Sequence, residues 1–384
     1  MPEMTSRERL LAAYRHAEVD RVPCSPRIWA WLLEFYGSAD LPAFLRAREE
    51  FGFDPTFMLS PFTYVSALAC ADSYPLPQVE YRKKEWAEDE YRMVRRTFKT
   101  PAGTLTDVTK FPPAGRREYG IAPNPARIEH LVKGRSDLAA LRYLVPDKTI
   151  TGDFAKVREY EALMGDQGLC LVSICSSLCH RAGDVFPMPE LMMAYYDDRK
   201  FFDELLGIFQ KEMLAEAEAC IEAGFKHYFA NWYYNSLSTG WSPAIWKEVF
   251  APQLTELTAL IHRAGGTVNF YDDGKCMPLL ELFAGCGIDV LQTLTPPPVG
   301  DVDLAEAKQR IGKRVCLMGS VDTIYVIERG TPELIDQTVK RAIQAGAPGG
   351  GFILGTSDSI RDGTPLQNVK AYFSAALKYG ARVK

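Results

Sequence analysis

The sequence predicts an α/β fold, and within that class a (β/α)8 TIM barrel. Eight short runs rich in apolar and β-branched residues recur along the 384-residue chain, and helical segments with capping signals fill most of the gaps. No internal repeat, low-complexity tract or long linker divides the chain. We therefore expect a single domain over 1–384, with its active site at the carboxyl ends of the strands.

The predicted strands are short and mostly apolar on both faces, which is typical of interior parallel strands. In chain order they cover 21–29, 54–60, 169–175, 227–231, 267–271, 289–294, 314–319 and 351–355.

The helices between them carry start signals. Thr5-Ser6-Arg7-Glu8 is a capping box, and Ser242-Pro243 and Thr331-Pro332 each place a capping hydroxyl before a proline in the first turn. Thr364-Pro365-Leu366-Gln367 is a further capping box with proline inside it.

One stretch, about 62–168, departs from the alternation of strands and helices. Residues 81–106 are charged with alternating β-forming residues, and a piece rich in proline and arginine follows over 112–125. A helical pair over 135–143 and 153–164 comes next. We expect this stretch to be a hairpin-containing insertion after the second strand.

The composition excludes several classes of protein. The net charge of −5 comes without a basic stripe, so we expect no nucleic-acid partner. No apolar run approaches the roughly 18 residues that a membrane span needs, so a cytoplasmic protein is expected. The nine cysteines are odd in number and mostly lie in apolar segments, which indicates reduced core thiols and not a disulfide framework.

Polar and aromatic side chains follow the predicted strands and should share one opening. It is rich in hydroxyls, amides and aromatic rings, with a few carboxylates, and so suits a planar or apolar substrate with a few polar groups. The candidates are Arg27, Trp29, Ser60, Cys175, Ser176, Ser177, Cys179, His180, Asn231, Trp232, Tyr271, Asp272, Asp273, Gln292, Thr293, Ser320, Asp322, Thr356, Ser357 and Asp358.

Several of these residues have a structural interpretation as well as a functional one. Asp272 either caps the next helix or belongs to the site, and Gly274 supplies a turn conformation. Trp232 either packs a loop or contacts substrate. The spacing of Cys175, Cys179 and His180 only loosely resembles that of metal ligands. The favoured interpretation is that the two cysteines are core thiols and that the histidine starts a helix. Arg27 either clamps a carboxylate or pairs with a structural acid.

The order of the motifs resembles the uroporphyrinogen decarboxylase superfamily, which includes cobalamin-dependent methyltransferases of the methylcobamide:coenzyme M type and related O-demethylase components. The resemblance covers nearly the whole chain and implies a (β/α)8 barrel. It rests on an opening helix followed by Val19-Asp20-Arg21-Val22-Pro23, on Ser242-Pro243 with Pro252, and on 265–274, 285–289, 319–322, 330–333 and 351–365.

The resemblance also shows what this chain lacks. Methyltransferase members have a zinc-binding His-x-Cys-Gly motif where this chain has Tyr271-Asp272-Asp273-Gly274, and a further cysteine where it has Thr356-Ser357-Asp358. That zinc holds a thiol substrate as its thiolate. Decarboxylase members use an Arg-Gln-Ala-Gly-Arg segment and an aspartate, where this chain offers Arg27 and Ser60-Pro61. Neither a thiol-activating zinc site nor a true uroporphyrinogen decarboxylase is expected.

The function that this resemblance implies is methyl transfer between a small methoxylated or methylated substrate and a corrinoid. Because no Asp-x-His-x-x-Gly corrinoid motif occurs, the corrinoid would be carried by a separate protein. Asp273, with Tyr271 or Asp358, would protonate or orient the leaving oxygen. Two other functions stay open, a decarboxylase of a small acid and a non-catalytic binding protein. The sequence also leaves open a homodimer and a hard cation held by Asp273, Asp322 and Asp358.

Overall fold

The computed structural model describes residues 3–62, 76–115, 121, 123–174 and 178–381. The chain forms two compact units, one of Met1–Leu59, Ala155–Ser173 and Gly224–Lys384, the other of Ser60–Phe154 and Ile174–Ala223. The second unit begins near the start of the predicted insertion but also includes residues after 173. The prediction of a single domain with an insertion at about 62–168 stays a prediction.

The strands and helices alternate along most of the first unit, as the sequence predicts. The strands are β1 (Thr56–Leu59), β2 (Glu80–Glu88), β3 (Tyr91–Thr100), β4 (Gly103–Phe111), β5 (Ala126–Glu129), β6 (Leu169–Ile174), β7 (His227–Asn231), β8 (Thr267–Asp272), β9 (Val290–Thr293), β10 (Cys316–Val321) and β11 (Phe352–Thr356). The α-helices are Ser6–Tyr14, Trp29–Tyr36, Leu41–Phe51, Leu138–Leu141, Lys148–Thr151, Phe154–Met164, Leu178–Val185, Met188–Asp197, Arg199–Glu222, Pro243–Ile245, Ala251–Arg263, Leu280–Gly285, Leu304–Ile311, Pro332–Gly346 and Leu366–Gly380. Short 3-10 or π segments are Arg135–Asp137, Arg142–Leu144, Gly165–Gln167, Tyr233–Asn235, Leu237–Thr239, Trp246–Phe250, Met277–Leu279 and Thr323–Glu328.

The first unit is built on a seven-stranded sheet in the order β1-β6-β7-β8-β9-β10-β11. The strand pairings described for it are parallel. Strands that follow one another in the chain lie side by side, which is the arrangement that βα repeats produce. The unit therefore has an α/β, TIM-barrel-like fold.

The strand predicted over 21–29 is wrong as a continuous ladder. Cys24 forms an isolated parallel bridge with Leu354 of β11. On its other side, the carbonyl oxygen of Cys24 accepts a hydrogen bond of 2.7 Å from the backbone N–H of Asp54, just before β1. Pro23 and Pro26 have no N–H to donate, which prevents regular pairing along this segment.

The N-terminal helix packs against the amino-terminal ends of the strands of the first unit. Its buried face joins one cluster of inward-facing side chains: Leu10, Ala13, Tyr14, Leu169, Leu171, Phe229, Tyr271, Val290, Cys316, Met318 and Ile353. The Tyr14 hydroxyl donates to Asn269 Oδ1 at 2.8 Å, and Gln292 Nε2 donates to the same oxygen at 3.3 Å. The interior below Tyr271 is therefore filled by side chains.

Three of the four predicted helix caps are present. The Thr5–Glu8 capping box has both of its hydrogen bonds, and Ser242 and Thr331 each accept an N–H of the first turn. The capping box predicted at Thr364–Gln367 is wrong, because Pro365 occupies the cap position and no side chain caps the helix that begins at Leu366.

The second unit contains an antiparallel sheet in the order β2-β3-β4-β5. β2 and β3 form a hairpin in which Tyr81 pairs with Phe98, and Phe98 is fully buried. The unit also buries a group of four charges. Lys148 lies 2.8 Å from Glu212 and 3.0 Å from Glu216, and Arg181 lies 2.9 Å from Glu216.

Within the described ranges, every helix is too short or too polar to cross a membrane.

Candidate active site

The end of β8 brings polar side chains to the carboxyl edge of the sheet. Side chains alternate along a strand, so Asn269, Tyr271 and Asp273 point to one face and Asp272 to the other. Gly274 then turns the chain with φ +78°. A Cβ atom at Gly274 would lie 2.1 Å from Ser238 Oγ, so glycine is needed for space as well as for conformation.

The Tyr271 hydroxyl connects two carboxyl groups from different parts of the chain. It lies 3.1 Å from Asp273 Oδ2 and 3.3 Å from Asp358 Oδ1, which follows β11. The Tyr271 side chain is almost fully buried, whereas Asp273 and Asp358 are partly exposed. The three predicted catalytic residues are thus brought together.

Arg27 lies over this group. Its guanidinium carbon is 4.2 Å from the centre of the Tyr271 ring and 5.7 Å from that of Phe229, distances suited to cation–π attraction. Its backbone N–H donates to Thr356 Oγ1 at 3.2 Å. Nε and Nη1 are buried without a hydrogen-bond partner, and no acidic side chain of the described ranges forms an ion pair with Arg27. The interpretation of Arg27 as the partner of a structural acid finds no support.

The environment favours the protonated forms of Asp273 and Tyr271. Burial, reinforced by the negative charge of Asp358, raises the pKa of Asp273, although the Tyr271 hydroxyl and Arg27 oppose this. Burial also raises the pKa of Tyr271 well above its ordinary value, while Arg27 opposes it. A protonated phenol therefore lies between two carboxyl groups, of which Asp273 has the raised pKa.

Asp272 is buried on the opposite face of β8 and does not cap a helix. Both of its carboxyl oxygens lack a hydrogen-bond partner, and burial, with the charge of Asp273 next in size, raises its pKa well above the ordinary value. Asp301 takes the capping role, since its Oδ1 accepts the N–H groups of Cys276 at 2.8 Å and Met277 at 3.2 Å.

The residues predicted at the ends of β7 and β9 have different environments. Asn231 is paired in register with Tyr271, and its Oδ1 is buried without a partner. Gln292 is also in register with Tyr271, but it is buried and bonded to Asn269. Trp232 is fully buried among aromatic rings, 5.9 Å from Phe270, so the structure places it in packing and away from the Tyr271 hydroxyl group.

The residues predicted after β10 and β11 mainly hold their own loops. Asp322 Oδ1 accepts the N–H of Tyr325 at 2.5 Å, and its Oδ2 is buried without a partner. Ser357 Oγ accepts the N–H of Thr323 at 3.2 Å. Thr356 accepts from the backbone of Arg27, as described above. Thr356 and Ser357 thus tie the segment that carries Asp358 to its neighbours, whereas Asp322 holds the turn that follows β10.

Trp29 and His180 are the two remaining residues predicted to bind substrate; the backbone N–H of Trp29 donates to Ser359 Oγ at 3.1 Å, next to Asp358. Trp29 is the first residue of the helix Trp29–Tyr36 and is 51% exposed. His180 belongs to the second unit, in the helix Leu178–Val185, and burial lowers its pKa. Cys179, beside it, is fully buried, and burial raises the pKa of its thiol. Cys175, Ser176 and Ser177 lie outside the described residues.

Sequence reasoning missed Asn269 and Asp301. Asn269 had a signal, because an amide inside an otherwise apolar strand requires a buried partner. Asp301 had none, because it reaches the Cys276 N–H from a distant loop.

The side chains at the zinc positions of methyltransferase members do not suit a thiol-binding zinc ion. They are a phenol and two carboxyls, joined to each other by hydrogen bonds, whereas such zinc sites use histidine nitrogen and cysteine sulfur. Over the described ranges, no group of three or more His, Cys, Asp or Glu side chains is placed to hold a metal ion.

The chain is similar to two methyltransferases. It is 30% identical over 129 residues to the methylated-thiol–coenzyme M methyltransferase of Methanosarcina mazei, which covers 34% of this chain and 28% of the relative. It is 26% identical over 200 residues to the methylcobamide:CoM methyltransferase MtaA of Methanosarcina barkeri, which covers 52% of this chain and 56% of the relative. The chain thus spans between about a quarter and about half of the length of these two relatives.

Longer matches exist at lower identity. Uroporphyrinogen decarboxylase of Coxiella burnetii is 22% identical over 98% of this chain and 96% of its own length. A solved structure described as a methyltransferase from Methanosarcina mazei matches with a TM-score of 0.69 and 18% identity, over 98% of this chain and 99% of that one. At this identity the structural match shows a shared fold.

The family profile described as uroporphyrinogen decarboxylase (URO-D) matches residues 182–379, more than half of the chain. The matched range includes β7 to β11, and with them Tyr271, Asp273 and Asp358. The resemblance predicted from the motifs is confirmed. The chain belongs to the uroporphyrinogen decarboxylase (URO-D) family.

Proposed function

We propose that this protein is a methyltransferase that moves a methyl group from a small methoxylated or methylated substrate to a corrinoid carried by a separate protein. The names of two relatives support methyl transfer, and one of them refers to a methylcobamide. The chain itself offers no corrinoid-binding motif of the Asp-x-His-x-x-Gly type.

The observation that carries this proposal is the hydrogen-bonded group of Tyr271, Asp273 and Asp358. When a methyl–oxygen bond breaks, its electron pair stays on the oxygen, which becomes an alkoxide or phenoxide unless it receives a proton. An acid within hydrogen-bond reach lowers the barrier by supplying that proton. Asp273 suits this role, because its raised pKa keeps a proton available nearer to neutral pH.

The side chains around Asp273 would bind the substrate. Arg27 is partly exposed and stacks on the buried rings of Tyr271 and Phe229, so its guanidinium would offer a flat cationic surface to a planar substrate. Asn231 Oδ1 is a buried acceptor without a partner, and it suits a donor group of the substrate.

The proposal uses no zinc. A methoxyl group needs a proton on its oxygen at cleavage, whereas zinc serves a thiol nucleophile. Tyr271, Asp273 and Asp358 would therefore act as an acid where methyltransferase members hold a metal. The partners would be the small substrate and the corrinoid carrier, and a homodimer stays open.

For the fold, we propose that the segment 21–27, between β11 and β1, completes a (β/α)8 barrel.

The test is to incubate the protein with methoxylated aromatic donors and a reduced corrinoid protein, and to follow the corrinoid absorption spectrum. Asp273→Asn should lower the rate by at least about 100-fold, the smaller end of the range for a lost general acid. Asp362→Asn removes one negative charge farther along the same loop and serves as the matched control. The proposal is wrong if the wild-type protein forms no methylated corrinoid with any methoxylated aromatic donor.

A decarboxylase of a small carboxylic acid is the second candidate. The buried donors of Arg27 without an acidic partner favour it, because a substrate carboxylate would satisfy them. Release of carbon dioxide from candidate acids, lost in Arg27→Gln and not in Asp362→Asn, would select this function over methyl transfer.

A further inference from the structure

We propose that Asp358, Tyr271 and Asp273 form a proton relay, in which protons from water reach Asp273 through Asp358 and the Tyr271 hydroxyl. The use of this relay in catalysis rests on the proposed methyl transfer. The existence of the relay does not, and it is tested separately below.

The relay follows from counting hydrogens. A phenol has one hydrogen to donate, yet the Tyr271 oxygen lies within hydrogen-bond distance of two carboxyl oxygens, at 3.1 Å and 3.3 Å. Both contacts are full hydrogen bonds only if one carboxyl is protonated and donates to the phenol oxygen. One extra proton is therefore shared by the three groups, as in carboxyl pairs that cannot both ionise.

The position of that proton follows from the surroundings. Asp273 Oδ2 lies 3.1 Å from the Tyr271 hydroxyl, and the charges of Asp358 and Arg27 act on its carboxyl. Asp358 is the more open member, with 36% of its side chain exposed and Arg361 Nη2 at 3.6 Å. We therefore place the proton on Asp273, which donates to Tyr271, while Tyr271 donates to Asp358.

Catalysis would draw on this chain of hydrogen bonds. The methyl–oxygen bond breaks, its electron pair stays on the oxygen, and the oxygen takes the proton of Asp273. The methyl group would bond to the reduced corrinoid of the partner protein, which would supply the electron pair of the new bond. Asp358 then takes a proton from water and donates it to the Tyr271 oxygen in the same step in which the Tyr271 hydroxyl hydrogen passes to the Asp273 carboxylate, so no free phenoxide forms. Each methyl group transferred consumes one proton from water, so charge and atoms balance.

The first test locates the proton and needs no substrate. Infrared spectra of protein labelled with carbon-13 at the aspartate carboxyls should show protonated carboxyl bands that persist at pH values above the ordinary aspartate range. Asp273→Asn should remove one of them. Asp272→Asn should remove another, because Asp272 is a buried acid outside the relay. In Asp358→Asn, the Asp273 band should disappear at lower pH than in the wild type, because a neighbouring negative charge is gone. Asp362→Asn should leave it unchanged.

The second test measures proton supply during turnover. In Tyr271→Phe, methyl transfer should be slower and should recover as imidazole buffer is added, because a small acid in solution can replace the relay. The wild type and Asp362→Asn should not depend on imidazole concentration. Circular dichroism of each variant checks that it is folded.

The outcomes separate the two proposals. The relay is refuted if Asp272→Asn removes every protonated aspartate band, or if the rate of Tyr271→Phe does not respond to imidazole. If no donor supports methyl transfer, the proposed function fails, and the infrared spectra still decide whether Asp273 carries the shared proton.

Discussion

Replacing Asp272 with asparagine should change how the stability of the protein depends on pH. Both carboxyl oxygens of Asp272 are buried without a partner. The neighbouring Ser236 hydroxyl donates to the carbonyl oxygen of Asp273 at 2.9 Å, and Ser236 and the backbone N–H of Asp273 oppose the rise in the pKa of Asp272. Burial, with the charge of Asp273 next in size, still raises this pKa well above its ordinary value, which favours a neutral carboxyl in the folded protein.

The size of the effect follows from proton linkage. In the unfolded chain Asp272 ionises near the ordinary pKa of about 3.9. Between that pH and the raised pKa of the folded state, unfolding releases one proton, so the free energy of unfolding falls as the pH rises. One proton corresponds to about 1.4 kcal/mol per pH unit. Asparagine does not titrate, so Asp272→Asn should lack this slope.

The assay is urea unfolding at a series of pH values from about 5 to about 6, followed by tryptophan fluorescence. Five of the six tryptophans report on the first unit: Trp29, Trp31, Trp232, Trp241 and Trp246. Between these two pH values, the difference in free energy of unfolding between wild type and Asp272→Asn should change by about 1.4 kcal/mol. Asp362→Asn controls for the loss of an aspartate elsewhere in the unit.

Equal slopes for the wild type and Asp272→Asn would contradict this reasoning. They would mean that the folded protein ionises Asp272 as readily as the unfolded chain does, so that burial is compensated by a partner.

Two further changes should destabilise the protein for different reasons. Lys148→Met leaves Glu212 and Glu216 with less compensating charge in a buried site, and should lower the free energy of unfolding by about 3–5 kcal/mol in urea unfolding. Adding Glu212→Gln to the Lys148→Met variant should restore part of the lost free energy of unfolding. If the double variant is no more stable than Lys148→Met alone, the loss is not an effect of charge. Gly274→Ala should lower the melting temperature more than Gly265→Ala. Both glycines have positive φ, but only at Gly274 does a Cβ atom meet a side chain, Ser238, so equal losses would mean that backbone strain alone matters.

Much of the sheet could be predicted because apolar runs report burial. The runs at 227–231 and 267–271 match β7 and β8 to within a residue. Residues 23–26 and Ile28 of the run at 21–29 are buried as well, but Pro23 and Pro26 limit its hydrogen bonds to isolated bridges. Apolar sequence predicts where a segment lies, and the distribution of N–H groups decides whether it pairs as a strand.

The candidate site was predictable where it depends on strand ends, and less so where it depends on side-chain direction. Tyr271 and Asp358 meet because Tyr271 lies at the carboxyl end of β8 and Asp358 follows β11, and both strands belong to one parallel sheet. Trp232 and Asp272 lie one residue away from inward-facing positions, and the two-residue period of a strand directs them to the opposite face. Applying that period at the strand ends would have placed both residues in packing. The cap supplied by Asp301 depends on tertiary folding and left no local pattern.

The helix Ser6–Tyr14 has a consequence for the order of binding. Its side chains Leu10, Ala13 and Tyr14 pack with strand side chains beneath Tyr271 in one buried cluster. Under the proposed methyl transfer, a small methyl donor and a bulky methyl acceptor would then both approach from the carboxyl ends of the strands. The donor has to enter before the acceptor covers the opening, and the demethylated product can leave only after the acceptor departs. Such an enzyme would show a compulsory order of addition and release.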